Sequence, residues 1–564
     1  MSTRPSVRAL VKPTPLHWMT LAAGAVFLLW VNRHQWFNVD EWAWIVDRGI
    51  LGSPVRGLLV PHNEHWSTAP IMVWRGLFTV FGVRTYTPYL LVMVAAHLVT
   101  THLLWRLLLR VGVDAFVATV ACVPFIVLGA GSENLTQAFQ FSLIVPLALG
   151  FGALLLIPDR GPFGSRDVVV VAVLVFALMW SGIAVTMVVV VGLFGLLARG
   201  IKVAAAIVIP PALVYLLWFA LWGHDDTAGD ADPITVAVQK LPEFAWEGLT
   251  STVDDVSGVV GIGATVLVLL GLFAILRLRP SDPADARVLA SAGGAVVFLL
   301  LTGVRRTSLG IETAGSERYV YIVAALLLPL TALAVDRALR GRSLRWTAIL
   351  AATALVVTVQ ISELNREATH WAQIEQEQKH RILATVPLVR EDPDRDFLAA
   401  SPAPTFSPDV TAAVIGRLAD DGKLPGNVDV TGADRVTALT YLQVTLEGDP
   451  RPRRARSVPV VESVRGGDLV PGVDPGCFDV VPRSPRVRLV VQLPSPAPIR
   501  VEPGENGSIA FALTEGGATG RTRELTVGGG IPGWLNVNVP GSSMELSLKS
   551  MGLSTLCRIE VLSA

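Results

Sequence analysis

The chain has 564 residues, 52% of them hydrophobic and 16% charged, with a mean hydropathy of +0.53. Long apolar runs that recur through its first two thirds predict a polytopic α-helical membrane protein. Lys and Arg total 46 and Asp and Glu total 46, so the formal net charge is zero and no basic surface indicates nucleic acid as a partner.

Apolar runs of roughly 17 to 23 residues predict about eleven membrane-spanning helices. They lie at residues 15-32, 86-108, 113-130, 141-157, 168-182, 183-198, 203-222, 258-277, 288-304, 320-336 and 345-362. The stretch 168-198 is long enough for one helix or for two short ones. We split it at Ser181-Gly182, and a single helix would invert the topology that follows.

The basic residues predict the orientation of these spans. Lys and Arg near helix ends favour the cytoplasmic side, which places residues 1-14 in the cytoplasm. The first span lacks a small-residue cleavage site, so we expect it to stay as a signal anchor. An odd number of spans puts the chain after residue 362 outside. High Ala, Val, Gly and Arg usage fits a GC-rich bacterium, so the expected location is the bacterial plasma membrane.

The first outer loop, residues 33-85, carries two adjacent carboxylates, Asp40 and Glu41. Charges near the hydrocarbon of a bilayer are disfavoured unless they are solvated, paired or used. One interpretation is a solvated pair of loop residues. The other is a functional pair that supports a metal or acts as a general base, since a carboxylate close to the membrane can take a proton from an acceptor hydroxyl. Residues 70-82 of the same loop predict an amphipathic helix in the membrane interface.

His62, Asn63, Glu64 and His65 form a second polar cluster in this loop. The two histidines would share one face of a helix, but the run is not HExxH and has no clear third ligand, so zinc is disfavoured. We expect these residues to hydrogen bond to the donor or acceptor substrate, with Glu64 as a second carboxylate. A plain solvated loop is the alternative.

The third cluster contains Arg305, Arg306, Arg318 and Tyr319, on the outer side at the start of the tenth span. Arginines there run against the positive-inside trend. Snorkelling explains one such residue, yet three within a short stretch indicate an anion at the membrane surface. An arginine fork matches phosphate well, so the cluster predicts a phosphate site.

After residue 362 the apolar runs shorten and Pro, Gly, Asp and Arg increase, which predicts a soluble extracytoplasmic α+β domain. Residues 363-454 read as a mixed helical region and residues 455-564 as a β-sandwich. Strands are expected at 487-493, 508-513, 535-539 and 544-548. Cys477 and Cys557 both belong to this domain, and in an oxidising compartment we expect them to form a disulfide.

Together, the carboxylates after the first span, the interfacial helix, about eleven spans and the late Arg318-Tyr319 resemble the GT-C superfamily of integral-membrane glycosyltransferases. That superfamily includes the protein O-mannosyltransferases, the aminoarabinose transferases and the actinobacterial arabinosyltransferases. The resemblance covers roughly residues 10 to 362 and implies a GT-C-like transmembrane domain over 15-362. It implies Asp40 as the base, Glu41 as its partner, Arg318 as a ligand of the lipid phosphate, and an acceptor- or glycan-binding role for the outer domain.

The expected function is transfer of a sugar from a polyprenyl-phosphate donor to an envelope glycan or lipid acceptor on the outer face. A transporter or flippase of lipid-linked sugars would place ionisable residues inside its spans, but the predicted spans contain almost none, with His97 and His102 the main exceptions. A non-catalytic glycan-binding scaffold would give the carboxylates and arginines no functional role. Both remain alternatives. A divalent cation would help the departure of phosphate but is not demanded, so metal dependence stays open.

Overall fold

The computed structural model describes residues 13–48, 53, 55–223, 233–343, 345–391, 397–426, 429–447, 458–493, 497–502, 508–526, 533–537, 539, 542–549 and 554–561. The chain divides into two compact units. The membrane unit comprises Met1–Trp36, Asp47–Val80 and Tyr86–Gln373, and the C-terminal unit comprises Phe37–Val46, Phe81–Thr85 and Ile374–Ala564.

Helices dominate the first two thirds of the chain, as the apolar runs predict. The α-helices of the described chain are α1 (Pro13–Val31), α2 (Asp40–Val46), α3 (Arg56–Leu59), α4 (Thr68–Phe81), α5 (Thr87–Arg110), α6 (Ala115–Ile126), α7 (Ser132–Thr136), α8 (Phe141–Leu156), α9 (Ser165–Leu178), α10 (Ile183–Arg199), α11 (Ile201–Trp218), α12 (Ile234–Ser257), α13 (Gly263–Arg277), α14 (Pro283–Arg306), α15 (Glu317–Leu339), α16 (Arg345–Glu391), α17 (Ala412–Asp420) and α18 (Gly432–Gln443).

Seven helical stretches among the described residues are long and apolar enough to cross a membrane. They are Thr14–Val31, Thr87–Arg110, Ala138–Leu156, Ile201–Gly223, Pro283–Leu309, Glu317–Leu339 and Arg345–Glu391. A bent pair, Ala115–Ile126 with Gly129–Thr136, would make an eighth. A helix stands at each of the eleven predicted positions, but α9, α10 and α13 are short, so the count of eleven is not confirmed. The stretch 168-198 forms two helices, α9 and α10.

Two helices depart from the sequence-based expectation. No element was expected between residues 222 and 258, yet α12 occupies most of that stretch. Its charged residues suppress the hydropathy signal, while Phe244 packs against Gly303 of α14. The last span was expected to end near residue 362, but α16 continues without a break to Glu391.

The C-terminal unit ends in two antiparallel β-sheets. The strands are β1 (Val444–Glu447), β2 (Val460–Arg465), β3 (Gly467–Pro471), β4 (Cys477–Pro482), β5 (Val487–Leu493), β6 (Ala497–Glu502), β7 (Ser508–Glu515), β8 (Ala518–Thr519), β9 (Arg523–Thr526), β10 (Gly533–Val537), β11 (Ser542–Lys549), β12 (Ser554–Cys557) and β13 (Glu560–Val561). One sheet has the order β1-β10-β6-β12-β4-β3, and the other has β13-β2-β5-β11-β7-β8, with β9 also on β7. Only the β13–β2 pair is parallel among the described strands.

The inward-facing residues of both sheets form one apolar core. Strand β5 alternates in burial from Val487 to Leu493, as a half-buried strand should. Its buried residues meet Phe511 of β7 and Leu535 of β10 in the same core, which confirms the predicted β-sandwich. Cys477 and Cys557 lie opposite each other on β4 and β12 and are joined, so the predicted disulfide is confirmed.

Candidate functional site

The membrane unit contains a broken span between α6 and α8. Helix α6 ends at Ile126, and the chain bends by 52° before continuing through Gly129–Thr136. Gly129 allows α16 to pack closely against this bend, because a Cβ on it would lie 2.2 Å from the carbonyl oxygen of Gln360. The sequence had predicted one uninterrupted span over 113-130.

A broken span leaves backbone groups without helical partners, and irregular backbone at membrane depth persists only where protein satisfies it. Side chains from different helices supply these partners. His97 Nε2 lies 3.1 Å from the Ile126 carbonyl oxygen, and the Ala130 N–H donates to Gln360 Oε1 at 2.8 Å. Further along the broken segment, the bonds are Asn32 Nδ2 to the Leu135 oxygen at 2.7 Å and the Ala138 N–H to Tyr86 Oη at 2.7 Å.

The same segment presents a carboxylate to Arg318. The start of α15 holds the segment in place, since the Glu133 N–H donates to Glu317 Oε2 at 2.9 Å and the Ser132 hydroxyl donates to the same oxygen. The Glu133 side chain then accepts from Gln140 Nε2 at 2.8 Å and lies 3.3 Å from Arg318 Nε. Arg318 remains 46% exposed, so it is accessible to a ligand.

The cluster His62–His65 is a tight turn, not the turn of helix that would put both histidines on one face. The backbones of His62 and His65 exchange two hydrogen bonds, at 3.0 and 2.9 Å. Asn63 and Glu64, the two central residues, have φ values of 48° and 70°. Two positive φ values are the signature of a type I′ turn. Asn tolerates this conformation, but Glu rarely adopts it, and such strain is concentrated at functional sites.

The side chains of Glu64 and His62 in this turn have defined contacts. Glu64 Oε1 accepts hydrogen bonds from Arg305 Nε at 3.1 Å and from its terminal nitrogen at 2.9 Å. The ring of His62 is buried against Phe139, and its Nδ1 lies 3.2 Å from a terminal nitrogen of Arg48. The turn therefore places Glu64 in contact with Arg305, so that the His62–His65 cluster and the arginine cluster meet.

His65 points toward the junction of α9 and α10. Its Nδ1 accepts the N–H of Gly182 at 3.3 Å, and a Cβ on Gly182 would come within 2.8 Å of that nitrogen. Burial lowers the pKa of His65 to about 4, and the positive charges of Arg306 and Arg318 contribute to the shift. His65 is therefore neutral at physiological pH and lies within the field of both arginines.

An aromatic stack supports the turn from behind. Trp66 lies parallel to Trp218 of α11, with ring centroids 5.3 Å apart. The indole of Trp66 donates to Thr68 at 2.7 Å, and the indole of Trp218 donates to the carbonyl of Leu59 at 2.9 Å. Because both donors are satisfied, the two buried rings can fix the position of His65 without a polar penalty.

An apolar cavity of about 260 Å³ lies beside the broken span. Its walls come from α6, α12, α13, α15 and α16, and Leu128 belongs to its lining. On α15 the lining begins at Ala324 and ends at Thr331. These residues are six and thirteen positions after Arg318, or about 9 and 20 Å along the helix axis.

Asp40 and Glu41 belong to the C-terminal unit, whereas the other predicted site residues belong to the membrane unit. Glu41 is buried, and its carboxylate accepts the N–H of Asn38 at 3.0 Å, which secures the first turn of α2. Asp40 is the first residue of the same helix and is partly exposed. Their catalytic roles stay predictions.

Within the membrane unit, the turn His62–His65 contacts Arg305 through Glu64, and the charges of Arg306 and Arg318 act on His65. Tyr319 packs edge-on against Phe298 near them. Sequence reasoning missed Glu133 and Glu317, although a glutamate between two predicted spans was a visible signal for Glu133. In the described part of the chain, no three His, Cys, Asp or Glu side chains come together as a metal site requires.

No protein-family model and no curated protein matches the chain. Two solved structures are similar to it at 12% sequence identity. ArnT from Cupriavidus metallidurans, bound to undecaprenyl phosphate, aligns over 76% of this chain and 92% of its own with a TM-score of 0.43. The oligosaccharyltransferase AglB from Archaeoglobus fulgidus, in complex with an inhibitory peptide and a dolichol-phosphate, aligns over 76% and 63% with a TM-score of 0.40.

Proposed function

We propose that this chain is a membrane glycosyltransferase that takes its sugar from a polyprenyl-phosphate donor. The observation that carries this proposal is the composition of α15. Its first turn presents Arg318, an exposed arginine, and its next turns line an apolar cavity. A polyprenyl-phosphate sugar needs both features, one for the anion and one for the hydrocarbon.

The phosphate end of the donor would bind Arg318 and Arg306. Arg318 lies 3.3 Å from Glu133 in a partly exposed pair, and such pairs contribute little stability, so a phosphate can displace the carboxylate at small cost. Arg306 contributes a second positive charge, and neutral His65 adds none. Arginine is suited to this role because its planar fork matches two phosphate oxygens.

The prenyl chain would enter the apolar cavity below. The hydroxyls of Thr252 and Thr331 in its wall donate to carbonyls of their own helices, at 2.7 and 3.1 Å, so the lining presents hydrocarbon to a ligand. Burying isoprenoid carbon there is favourable at roughly 25 cal/mol per Å² of apolar surface. The cavity therefore supports a lipid-linked donor over a soluble nucleotide sugar.

Asp40 is the proposed general base. An acceptor hydroxyl attacks the anomeric carbon of the donor sugar, and its proton passes to the Asp40 carboxylate. The bond between the anomeric carbon and the phosphate oxygen breaks, and polyprenyl phosphate leaves with the electron pair. The acceptor is proposed to be a glycan or glycolipid of the envelope, and the reaction to take place on the outer face of the plasma membrane.

The experiment that tests this proposal measures polyprenyl phosphate released from a native lipid extract by purified protein. We expect turnover by the wild type and loss of turnover in Asp40→Asn and Arg318→Gln. Arg337→Gln is the matched control, because Arg337 lies on the same helix but pairs with Asp285 at 3.0 Å. It should keep its activity.

A second readout separates binding from chemistry. Polyprenyl phosphate that copurifies with the protein can be counted by mass spectrometry. Asp40→Asn should retain the lipid, whereas Arg318→Gln should lose most of it. No turnover by the wild type with several acceptor extracts, together with equal lipid content in Arg318→Gln and Arg337→Gln, would overturn the proposal.

A further inference from the structure

The C-terminal unit contains two arginines that share one aromatic ring. The guanidinium carbon of Arg381, on α16, lies 4.3 Å from the ring centroid of Tyr441 on α18. That of Arg523, on β9, lies 4.6 Å from the same centroid. Three elements that are distant in sequence thus bring two positive charges to one place.

Neighbouring basic residues of this unit are paired with carboxylates, but these two are not. Arg435 pairs with Glu391 at 2.7 Å, Arg521 pairs with Glu377, and His380 lies 3.5 Å from Asp434. Among the described residues, no carboxylate lies within ion-pair distance of Arg381 or Arg523. The selective absence of acid partners distinguishes this pair from an ordinary surface network.

Both guanidiniums keep donors for a ligand. Arg523 uses one terminal nitrogen to donate to the carbonyls of Thr440 and Val444, at 3.3 and 3.0 Å. Its other nitrogens make no hydrogen bond with the described residues. Arg381 is partly exposed, and among the described residues its guanidinium contacts the Tyr441 ring but no hydrogen-bond acceptor. Its terminal nitrogens are therefore available to an oxyanion.

The electrostatics point the same way. Burial and the charge of Arg381 lower the pKa of Arg523, because two like charges share a partly dehydrated space. The Tyr441 ring attracts both cations but neutralises neither. An oxyanion would relieve the repulsion and accept hydrogen bonds from both forks.

We propose that Arg381 and Arg523 form an oxyanion-binding site that takes a carboxylate or a phosphate group. Tyr441 orients the two forks, and its ring face is occupied by cations, so the site recognises charge and not a stacked sugar. If the chain transfers sugars as proposed above, the source of the oxyanion is an acidic envelope glycan. Only this identification of the source rests on the proposed function.

The test uses the full chain in detergent with Arg318→Gln as background, so that binding at the proposed lipid-phosphate site does not contribute. Titration calorimetry at constant ionic strength compares inorganic phosphate, glucuronate and neutral glucose. We expect phosphate or glucuronate to bind and glucose not to bind. The anion that binds more tightly identifies the source as phosphate or carboxylate.

Variants then locate the binding. Adding Arg381→Gln or Arg523→Gln should lower the affinity for the anion about tenfold or more, because a charge-assisted hydrogen bond is lost. Arg521→Gln, which removes an arginine already paired with Glu377, should change it by less than about twofold. Arg381→Lys keeps the charge and loses the fork, so it should fold and still bind more weakly. Equal affinity in all variants, or equal binding of glucose, would overturn the site.

Discussion

Tyr321 and His97 are joined by a buried hydrogen bond of 2.8 Å between the phenol oxygen and Nδ1. The other ring nitrogen faces the carbonyl of Ile126, which can only accept. His97 therefore carries its proton on Nε2, donates it to the end of α6, and accepts from Tyr321 on α15. One imidazole thus connects the broken span to the helix that begins beside Arg318.

The His97–Tyr321 pair makes a prediction about coupling. Tyr321→Phe leaves one ring nitrogen unpaired and should cost about 1–3 kcal/mol, and His97→Leu should cost more because it strands both the phenol and the Ile126 carbonyl. The double variant should cost less than the sum, since the stranded phenol is gone. Thermal unfolding in detergent measures all three, and strictly additive losses would contradict the shared bond.

His65 predicts a dependence of stability on pH. Its pKa is about 4 in the folded chain against 6.5 ordinarily, so the unfolded chain binds a proton between these values that the folded chain does not. Stability should therefore fall as the pH drops from about 6.5 to 4, by up to about 3 kcal/mol. His65→Asn should flatten this part of the melting temperature profile. His370→Asn, at an exposed position, is the control, and an equal flattening there would argue against His65.

Glu133 predicts a gain in phosphate affinity when its charge is removed. Glu133→Gln abolishes the ion pair with Arg318 but keeps an oxygen for Gln140. Because Arg318 no longer exchanges one anion for another, we expect inorganic phosphate to bind about two- to fivefold more tightly, the range of an exposed pair. Binding is measured in the Arg381→Gln/Arg523→Gln background. Weaker binding would show that Glu133 helps the anion instead of competing with it.

The disulfide predicts a redox-dependent stability of the C-terminal unit. It closes a loop with a sequence separation of 80 residues. In the chain-entropy model such a loop stabilises by about 4–5 kcal/mol, an upper value because the reduced chain retains structure. Cys477→Ser/Cys557→Ser should lower the unfolding midpoint of this unit, and reductant should lower the wild type to the same value. Reductant should leave the variant unchanged, since Cys122 is a free buried thiol.

Hydropathy predicted where most of the helices lie, because the length of an apolar run is a local property of the sequence. It left open whether residues 168-198 form one helix or two, and the split at Ser181-Gly182 agrees with the separate helices α9 and α10. It could not predict the bend after Ile126, beside which Gly129 lies against Gln360, more than two hundred residues away in sequence. Nor did hydropathy find α12, because acids and a lysine interrupt the apolar residues along its sequence.

The sequence indicated which residues belong to the candidate site, but not which residues they contact. Arginines against the positive-inside trend led to the prediction that Arg305, Arg306 and Arg318 form an anion site, and that role stays a prediction. Their contacts with Glu64 and Glu133 depend on tertiary packing between segments far apart in sequence. The I′ turn was also missed, because Glu64 in a left-handed conformation violates local preference, and such violations are expected at functional positions.

The side chains that hold the broken span have a consequence for biosynthesis. The backbone of residues 126–138 draws its partners from Asn32, Tyr86 and His97, which are made earlier, and from Glu317 and Gln360, which are made much later. During synthesis, part of the backbone of this segment therefore lacks its hydrogen-bond partners until the last membrane helix emerges from the ribosome. Any nascent chain shorter than about 360 residues would depend on water or on the insertion machinery to shelter it.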